Sequence, residues 1–166
     1  MKTIRIEKIT LNVGAGKEQG ILDKGMKLLK NITGISPIKT ITQKRIPGWG
    51  IRPGLPVGCK ITLRKEKVKP LLIRLLSAKD GNLNNKCFDD NGNVAFGIPE
   101  YIDITDAKYD PEIGIMGLEV CVTLERAGFR IKKRRIRKGK IHKNHRISKK
   151  EAIEFMKKEF NTNVGE

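Results

Sequence analysis

Apolar and polar residues alternate along three separate segments of the chain, and this alternation limits the fold more than any other feature of the sequence. The cleanest segment, residues 57–64, places Cys59, Ile61 and Leu63 on one side and Lys60, Thr62 and Arg64 on the other. A period of two residues is that of a β-strand with one face against a core. Residues 3–13 and 118–125 alternate in the same way, and a change of apolar side near Glu7-Lys8 predicts a β-bulge.

Apolar residues at helical spacing separate these strands. The spacing predicts helices over 17–32 and 67–78, and a capping box formed by Ser148 and Glu151 predicts the start of another. Shorter strands are expected at 38–43 and 94–98. The order of these elements predicts a single α+β domain over residues 1–166, in which a mostly antiparallel sheet has helices packed on one face and an open second face.

The open face of that sheet is predicted to carry hydroxyls, an amide and cations. The residues expected there are Lys8, Asn12, Thr40, Lys60, Thr62 and Arg64, with no carboxylate among them. Side chains of this kind donate hydrogen bonds to phosphates and to sugar hydroxyls, which are the contacts that position a protein on RNA. The alternation therefore predicts an RNA-binding face as well as a core.

The charge of the chain points to the same class of partner. The net charge is +17, and it is unevenly spread: residues 1–79 hold 18 Lys and Arg against 4 acids, and residues 126–166 hold 15 against 4. Such an excess repels itself unless a polyanion neutralises it, and nucleic acid is the leading candidate. A membrane is not expected as a partner, because the chain shows no signal peptide, no spanning segment and no basic amphipathic helix. Residues 80–125 hold 10 acids against 2 cations and are expected to turn away from the RNA.

Residues 43–58, with the sequence QKRIPGWGIRPGLPVG, cannot form a helix or a central strand. The segment contains four glycines, three prolines and the only tryptophan of the chain, Trp49. Prolines stiffen an extended segment and glycines allow its backbone to approach a ligand closely. We expect residues 43–57 to form a projecting loop whose charge comes from Lys44, Arg45 and Arg52, with Trp49 either stacking on a ligand or packing at the loop base.

The densest basic run lies between Phe129 and Arg146. Residues 130–146 are expected to form an extended basic arm that binds RNA phosphates through Arg130, Lys132, Lys133, Arg134 and Arg135. The apolar residues interspersed in this run are expected to anchor part of the arm to the domain: Phe129, Ile131, Ile136 and Ile141.

The sequence argues against catalysis. Gly14-Ala15-Gly16-Lys17 follows a strand and precedes a helix, but it has neither the spacing of a P-loop nor that of a dinucleotide fingerprint. His142 and His145 lie among cations that would repel a divalent metal, and the three widely spaced cysteines predict reduced thiols. We therefore expect no enzymatic activity, no metal and no cofactor. Two alternatives stay open at this point: a nucleotide-dependent enzyme using the Gly14–Lys17 turn, and an RNA chaperone acting through the basic tail alone.

Five stretches of the chain closely resemble the family of large-subunit ribosomal protein five, in its archaeal form. They are LNVGAG (11–16), ITGISP (32–37), IRPGLPVGCKITLR (51–64), KYDPEIGIMGLEVCVTLERAGFRIKKRR (108–135) and HRISKKEAIEFM (145–156). The resemblance covers nearly the whole chain. It implies a structural protein of the cytoplasmic ribosome that binds 5S ribosomal RNA in the central protuberance of the large subunit.

The resemblance also implies partners and site residues. Asn12, Thr40 and Thr62 match the family positions that hydrogen-bond 5S RNA, whereas Ile35 stands where many members have glutamine, so one polar contact is expected to be missing. The loop 43–57 matches the segment that approaches the transfer RNA in the peptidyl site. Further partners implied are the large-subunit ribosomal RNA and small-subunit ribosomal protein thirteen, which would suit the acidic region around 103–112.

Overall fold

A computed structural model describes residues 1–165 of the chain, which contain seven strands and four α-helices. The strands are β1 (Ile4–Gly14), β2 (Ile38–Ile41), β3 (Pro56–Leu63), β4 (Asn82–Asn84), β5 (Val94–Ile98), β6 (Leu118–Arg126) and β7 (Asn163–Gly165). The helices are α1 (Gln19–Thr33), α2 (Val68–Ser77), α3 (Arg130–Lys133) and α4 (Lys149–Phe160). No helix within this described part is long and apolar enough to cross a bilayer.

Five strands form one antiparallel sheet in the order β2-β3-β1-β6-β5, so β1 lies in the middle. Its residue Thr10 lies opposite Thr62 of β3 and opposite Cys121 of β6. The register between β1 and β6 shifts between Ile6 and Lys8, which confirms the β-bulge predicted from the change of apolar side.

Helices α1 and α2 cover one face of this sheet, and the core lies between the two layers. Helix α1 packs on β3 and β1, while α2 packs on β1. Close packing of α1 is possible because Gly25 has no side chain: a Cβ there would lie 3.0 Å from Val13 Cγ1 and 3.1 Å from Cys59 Sγ. The helix ends at Gly34, whose left-handed conformation (φ 69°) closes the last turn. The predicted fold class is therefore confirmed.

Helix α4 is joined to the end of the sheet through a buried arginine. The predicted capping box is present, since the Ser148 side chain accepts from the Glu151 N–H and the Glu151 carboxylate accepts from the Ser148 N–H. The same carboxylate accepts a 2.6 Å hydrogen bond from Arg126, which is the last residue of β6 and only 5% exposed. One glutamate thus caps the helix and neutralises a buried cation.

The structure also contains elements that the sequence did not predict. Strands β4 and β7 pair in parallel as a separate two-stranded sheet, one in a polar, turn-prone segment and the other near the end of the chain. Strand β2 ends at Ile41, two residues before the predicted boundary. These short pairings depend on partners far away in sequence, so local alternation carries no signal for them.

Replacing Glu151 by glutamine tests the connection between α4 and the sheet. The hydrogen bond from the Ser148 backbone, and then that from Arg126, lower the pKa of Glu151 below its ordinary value of 4.5. A carboxyl with a lowered folded-state pKa stabilises the protein above its unfolded pKa and loses that contribution as pH falls through the folded value. We expect Glu151→Gln to lower the urea midpoint at pH 7, with a difference from the wild type that shrinks progressively below pH 4.5.

The matched control is Glu154→Gln, on the same helix. Within residues 1–165, Glu154 takes part in no ion pair and no side-chain hydrogen bond. Its replacement is expected to leave the urea midpoint nearly unchanged at pH 7 and below pH 4.5. An equal loss of stability for the two variants would contradict the assigned role of Glu151.

Candidate nucleic-acid interface

Polar side chains of β1 and β3 form continuous rows across the face of the sheet opposite the helices. Thr10 lies beside Thr62, with 3.4 Å between their hydroxyl oxygens, and Asn12 lies beside Lys60 in the next row. These residues alternate with the buried Ile9, Leu11 and Ile61, so their side chains are held on the uncovered side. The structure thus brings together Asn12, Lys60 and Thr62 as the sequence predicted. Thr10 adds a hydroxyl to this group.

Thr40 belongs to the open face and lies beside a glycine of β3. It lies opposite Gly58, where an added Cβ would be 2.6 Å from the Val13 carbonyl oxygen and 3.1 Å from Thr40 Oγ1. Only glycine leaves this space free. In the same strand Ile38 lies opposite Lys60 and is 70% exposed, so an apolar side chain borders the polar rows.

The open face is not free of carboxylates, and this part of the prediction was wrong. Glu119 of β6 lies opposite Asn12, and the Asn12 Nδ2 donates to its Oε2 over 3.4 Å. The alternation of β6 places Cys121, Thr123 and Glu125 on the same side. The expectation that the acidic region 80–125 turns wholly away from this face is corrected for the same reason.

The far end of the face is held together by ion pairs. Arg5 contacts Glu125 at 2.8 Å, and the Lys133 ammonium contacts both Glu125 and Glu7. Burial alone would lower the pKa of Lys133. The hydrogen bonds to Glu7 and Glu125 have a larger combined effect, so the pKa of Lys133 is raised. The start of the basic arm is thereby attached to the edge of the open face, and the charge of Lys133 is already balanced by protein carboxylates.

The basic arm is a closed loop and not an extended strand. Its last residues return to the sheet, where the Arg126 guanidinium donates to the carbonyl oxygens of His145 and Arg146 at 3.4 and 3.1 Å. The His145 ring also contacts the Ala127 carbonyl oxygen at 2.9 Å and packs edge-on against Phe129. The arm begins with helix α3, which holds three of the five predicted cations, and Arg134 and Arg135 follow it in exposed positions.

The apolar residues of the arm do not all anchor it. Phe129 packs against the core, and Ile147, just beyond the arm, is fully buried. Ile131 and Ile136 are 42% and 77% exposed, which corrects their assignment as anchors. The polar contacts of Arg126 and His145 hold the arm where these isoleucines do not.

The loop 43–57 is an ordered hairpin. Ile46 and Ile51 exchange two backbone hydrogen bonds of 2.9 and 3.1 Å, and a 3-10 turn at Pro47–Trp49 closes the tip. Ile51 is buried, whereas Trp49 is 70% exposed, so packing at the loop base is excluded for the indole in this structure. The three predicted cations Lys44, Arg45 and Arg52 are exposed around it.

The Gly14–Lys17 turn is not arranged as a phosphate cradle. The N–H groups of Ala15 and Gly16 both donate to the Val57 carbonyl oxygen, at 2.9 and 3.1 Å, and tie the turn to the base of the loop. A phosphate-binding turn needs such groups free to point at the ligand. Cys59, Cys87 and Cys121 are free thiols, and no cluster of potential metal ligands occurs within residues 1–165.

Two family models and several curated proteins match this chain along nearly its whole length. The model of the family described as ribosomal protein L5 matches residues 1–52, and the model of the C-terminus of the same ribosomal family matches residues 56–157. The large ribosomal subunit protein uL5 of Nanoarchaeum equitans is 48% identical over 99% of this chain and 97% of its own length. The uL5 proteins of Sulfurisphaera tokodaii and Methanococcus maripaludis strain C6 are 44% and 41% identical, over 100% and 99% of this chain and 94% and 92% of theirs.

The chain belongs to the ribosomal protein L5 family. The resemblance seen in the sequence motifs is therefore confirmed, including its archaeal character, since these relatives come from archaea. The RNA-binding assignments of individual residues in this L5 family member stay predictions, and the structure shows where each of them lies.

Glu119 also influences the neighbouring Cys121, which offers a chemical test of the open face. Burial and then the negative charge and hydrogen bonding of Glu119 raise the pKa of the Cys121 thiol. Removing this charge should lower the pKa and increase the reactive thiolate fraction at a given pH. We expect Glu119→Gln, in a Cys87→Ser background, to accelerate iodoacetamide alkylation of Cys121 at pH 8.

Cys59 does not interfere with this measurement because it is fully buried and burial raises its pKa. Glu18→Gln, at the start of α1 on the helical side, is the control and should leave the alkylation rate of Cys121 unchanged. Equal rates in the Glu119 variant and its parent would show that the carboxylate does not face this thiol.

Proposed function

We propose that this L5 family member is a structural, RNA-binding constituent of the large ribosomal subunit in the cytoplasm, and that it attaches 5S ribosomal RNA through its open sheet face. The observation that carries the proposal is the set of adjacent donors on β1, β2 and β3: Asn12, Thr40 and Thr62. Amide and hydroxyl donors at fixed spacing suit the sugars and phosphates of a folded RNA. Ile35, which is partly buried, offers no polar side chain to this contact.

Cations surround these donors on the same face. Lys60 and Arg64 of the β3 segment are exposed, and Lys8 of β1 is partly exposed. Within residues 1–165, none of these three takes part in an ion pair, in contrast to Lys133. Their charges remain available for RNA phosphates. Arg130, Lys132, Arg134 and Arg135 of the arm extend this cationic surface towards the large-subunit ribosomal RNA.

The hairpin 43–57 is suited to approach the transfer RNA in the peptidyl site. Its backbone is already ordered by the Ile46–Ile51 bridge, so little conformational entropy would be lost on contact. The exposed Trp49 can stack on a base or lie against a ribose, and Lys44, Arg45 and Arg52 can contact phosphates.

The acidic region 103–112 is suited to contact a basic protein, for which we propose small-subunit ribosomal protein thirteen. The Asp103, Asp106 and Glu112 side chains are exposed, and Tyr109 adds an exposed aromatic ring. The backbone of the region is held by the buried Tyr101, whose hydroxyl accepts from the Asp110 N–H at 2.9 Å. An ordered acidic loop can contact a cationic partner without first having to fold.

The structure disfavours both alternative functions. A nucleotide-dependent enzyme would need the amides of the Gly14–Lys17 turn, which donate to Val57 instead. A chaperone acting through a free basic tail would need a flexible arm, whereas this arm is closed by Arg126 and His145. A catalytic role is therefore not part of the proposal.

The combined substitution Asn12→Ala and Thr62→Ala tests the open face directly. Each lost hydrogen bond should cost about 0.5–1.5 kcal/mol of binding free energy, so the double variant should bind 5S ribosomal RNA roughly 5- to 150-fold more weakly. Filter binding at one fixed salt concentration measures this change. The control variant carries Asn31→Ala and Thr105→Ala, which remove the same groups from exposed positions on the helical side. Equal affinities of the two double variants would refute the assigned face.

The salt dependence of binding tests the arm. Neutralising Lys132 and Arg135 by glutamine should reduce the slope of log Kobs against log salt by about 0.9 per lost phosphate contact with duplex RNA. Preference for 5S ribosomal RNA over an unrelated duplex should survive, because the open face is unchanged. A chaperone acting through the tail would lose its affinity for both RNAs to the same extent.

A further inference from the structure

We propose that Glu119 and the small residues beside it on β5, Ala95 and Gly97, form a second half of the RNA-binding face, next to the half formed by β1, β2 and β3. This second half would contact the sugars and bases of the RNA and not its phosphates. Glu119 would accept a hydrogen bond from a 2′-hydroxyl or from the amino group of a guanine. This inference rests on the proposed function and assigns to its RNA an orientation on the sheet.

The position of Glu119 is set by pairing on both sides. It lies opposite Asn12 of β1 and opposite Gly97 of β5, so one row across the sheet reads Gly97, Glu119, Asn12 and Lys60. The neighbouring row contains Ala95, Cys121, Thr10 and Thr62. The carboxylate therefore lies within the predicted RNA-binding surface, in hydrogen-bonding contact with one of its central residues.

The chemistry of a carboxylate restricts what can contact it. An ionised glutamate accepts hydrogen bonds and donates none, and it repels a phosphate. Glu119 is exposed, and its hydrogen bonds with Asn12 and with the Cys121 thiol leave other lone pairs free. RNA offers donors in its 2′-hydroxyls and in the guanine amino group, and in an A-form helix both lie in the wide, shallow minor groove. A bound RNA would thus turn these donors, and not its backbone charge, towards β6.

The surface next to Glu119 is open to close approach. Gly97 and Ala95 are the residues of β5 that face away from the helices, and both are exposed. A Cβ added at Gly97 would meet nothing within 4 Å, and its φ is not in the left-handed region, so no contact among residues 1–165 requires glycine there. A glycine inside a strand commonly marks a place where a ligand or another backbone approaches closely.

The two halves of the face fit one orientation of RNA. Lys60 and Glu119 lie on strands that are separated by β1, which places them about 10 Å apart at the usual strand spacing. Phosphates can therefore contact Lys60 and Arg64 without contacting the carboxylate. Asn12, between the two halves, has both donor and acceptor capacity.

The first test is the affinity of Glu119→Gln for 5S ribosomal RNA and for an unrelated RNA duplex. Loss of a charge-assisted hydrogen bond should weaken 5S binding about tenfold or more and leave duplex binding unchanged or slightly tighter. If the carboxylate only repels RNA, the variant binds both RNAs more tightly, and the proposal is overturned. A wild-type protein that does not distinguish the two RNAs would instead overturn the proposed function, and this inference with it.

Nucleotide-analogue interference identifies the donor on the RNA. Transcripts of 5S RNA carrying scattered 2′-deoxy or inosine substitutions are selected on the wild type and on Glu119→Gln. A 2′-deoxy site that weakens binding only to the wild type assigns the 2′-hydroxyl, and such an inosine site assigns the guanine amino group. Identical interference patterns for the two proteins would overturn the proposal.

The glycine provides an independent test with a matched control. Gly97→Leu places a large side chain on the open surface beside Glu119, whereas Gly20→Leu adds the same side chain in open space on α1. Both variants should keep a cooperative thermal transition, and only Gly97→Leu should weaken 5S RNA binding, by about tenfold or more for a lost contact region. A folded Gly97→Leu variant with wild-type affinity would show that RNA does not reach β5.

Discussion

The pairing of β1 between β3 and β6 is the constraint on which the rest of the structure depends. Ile9, Leu11 and Val13 are buried beneath the helices, and this forces the alternate residues of the strand to the opposite face. A slip of one residue would exchange the two sets, so burial of the core fixes the register. The hydrophobic interaction that stabilises the domain thereby also sets the positions of Thr10 and Asn12 on the surface proposed to bind RNA.

The cations of that surface fall into two groups, those paired with carboxylates and those without a carboxylate partner among the described residues. At one end, Arg5 and Lys133 are neutralised by Glu7 and Glu125, and these contacts hold the arm against the sheet. Towards β2 and β3 the cations have no carboxylate partner within the described residues. A chain with a net charge of +17 gains stability from the first arrangement, while the second keeps charge available for a polyanion.

Local sequence patterns predicted most of the fold, because most of its strands, helices and caps are determined by residues that lie close together in sequence. The bulge at Glu7 and the Ser148–Glu151 capping box both follow from such patterns. Glu119 was missed although the alternation of β6 already placed it opposite the core. Its relevance depends on β6 lying beside β1, and strand order is not encoded in any single segment. The arm was misjudged for a similar reason, since Arg126 and His145 hold it through contacts that no periodicity reveals.

The closed conformation of the arm bears on how this strongly basic segment would contribute to the proposed RNA binding. Its ends are joined by hydrogen bonds to the backbone, and Gly139 N–H donates to the Ile131 carbonyl oxygen across the loop. Much of the conformational entropy of residues 130–146 is therefore lost when the domain folds and does not have to be lost again when RNA binds. Because Lys133 connects the arm to the open face, its cations and the donors of β1 and β3 keep a fixed relative position. Only an RNA whose shape fits this fixed arrangement can contact the arm cations and the sheet donors at the same time. A free tail would impose no such requirement on the shape of the RNA.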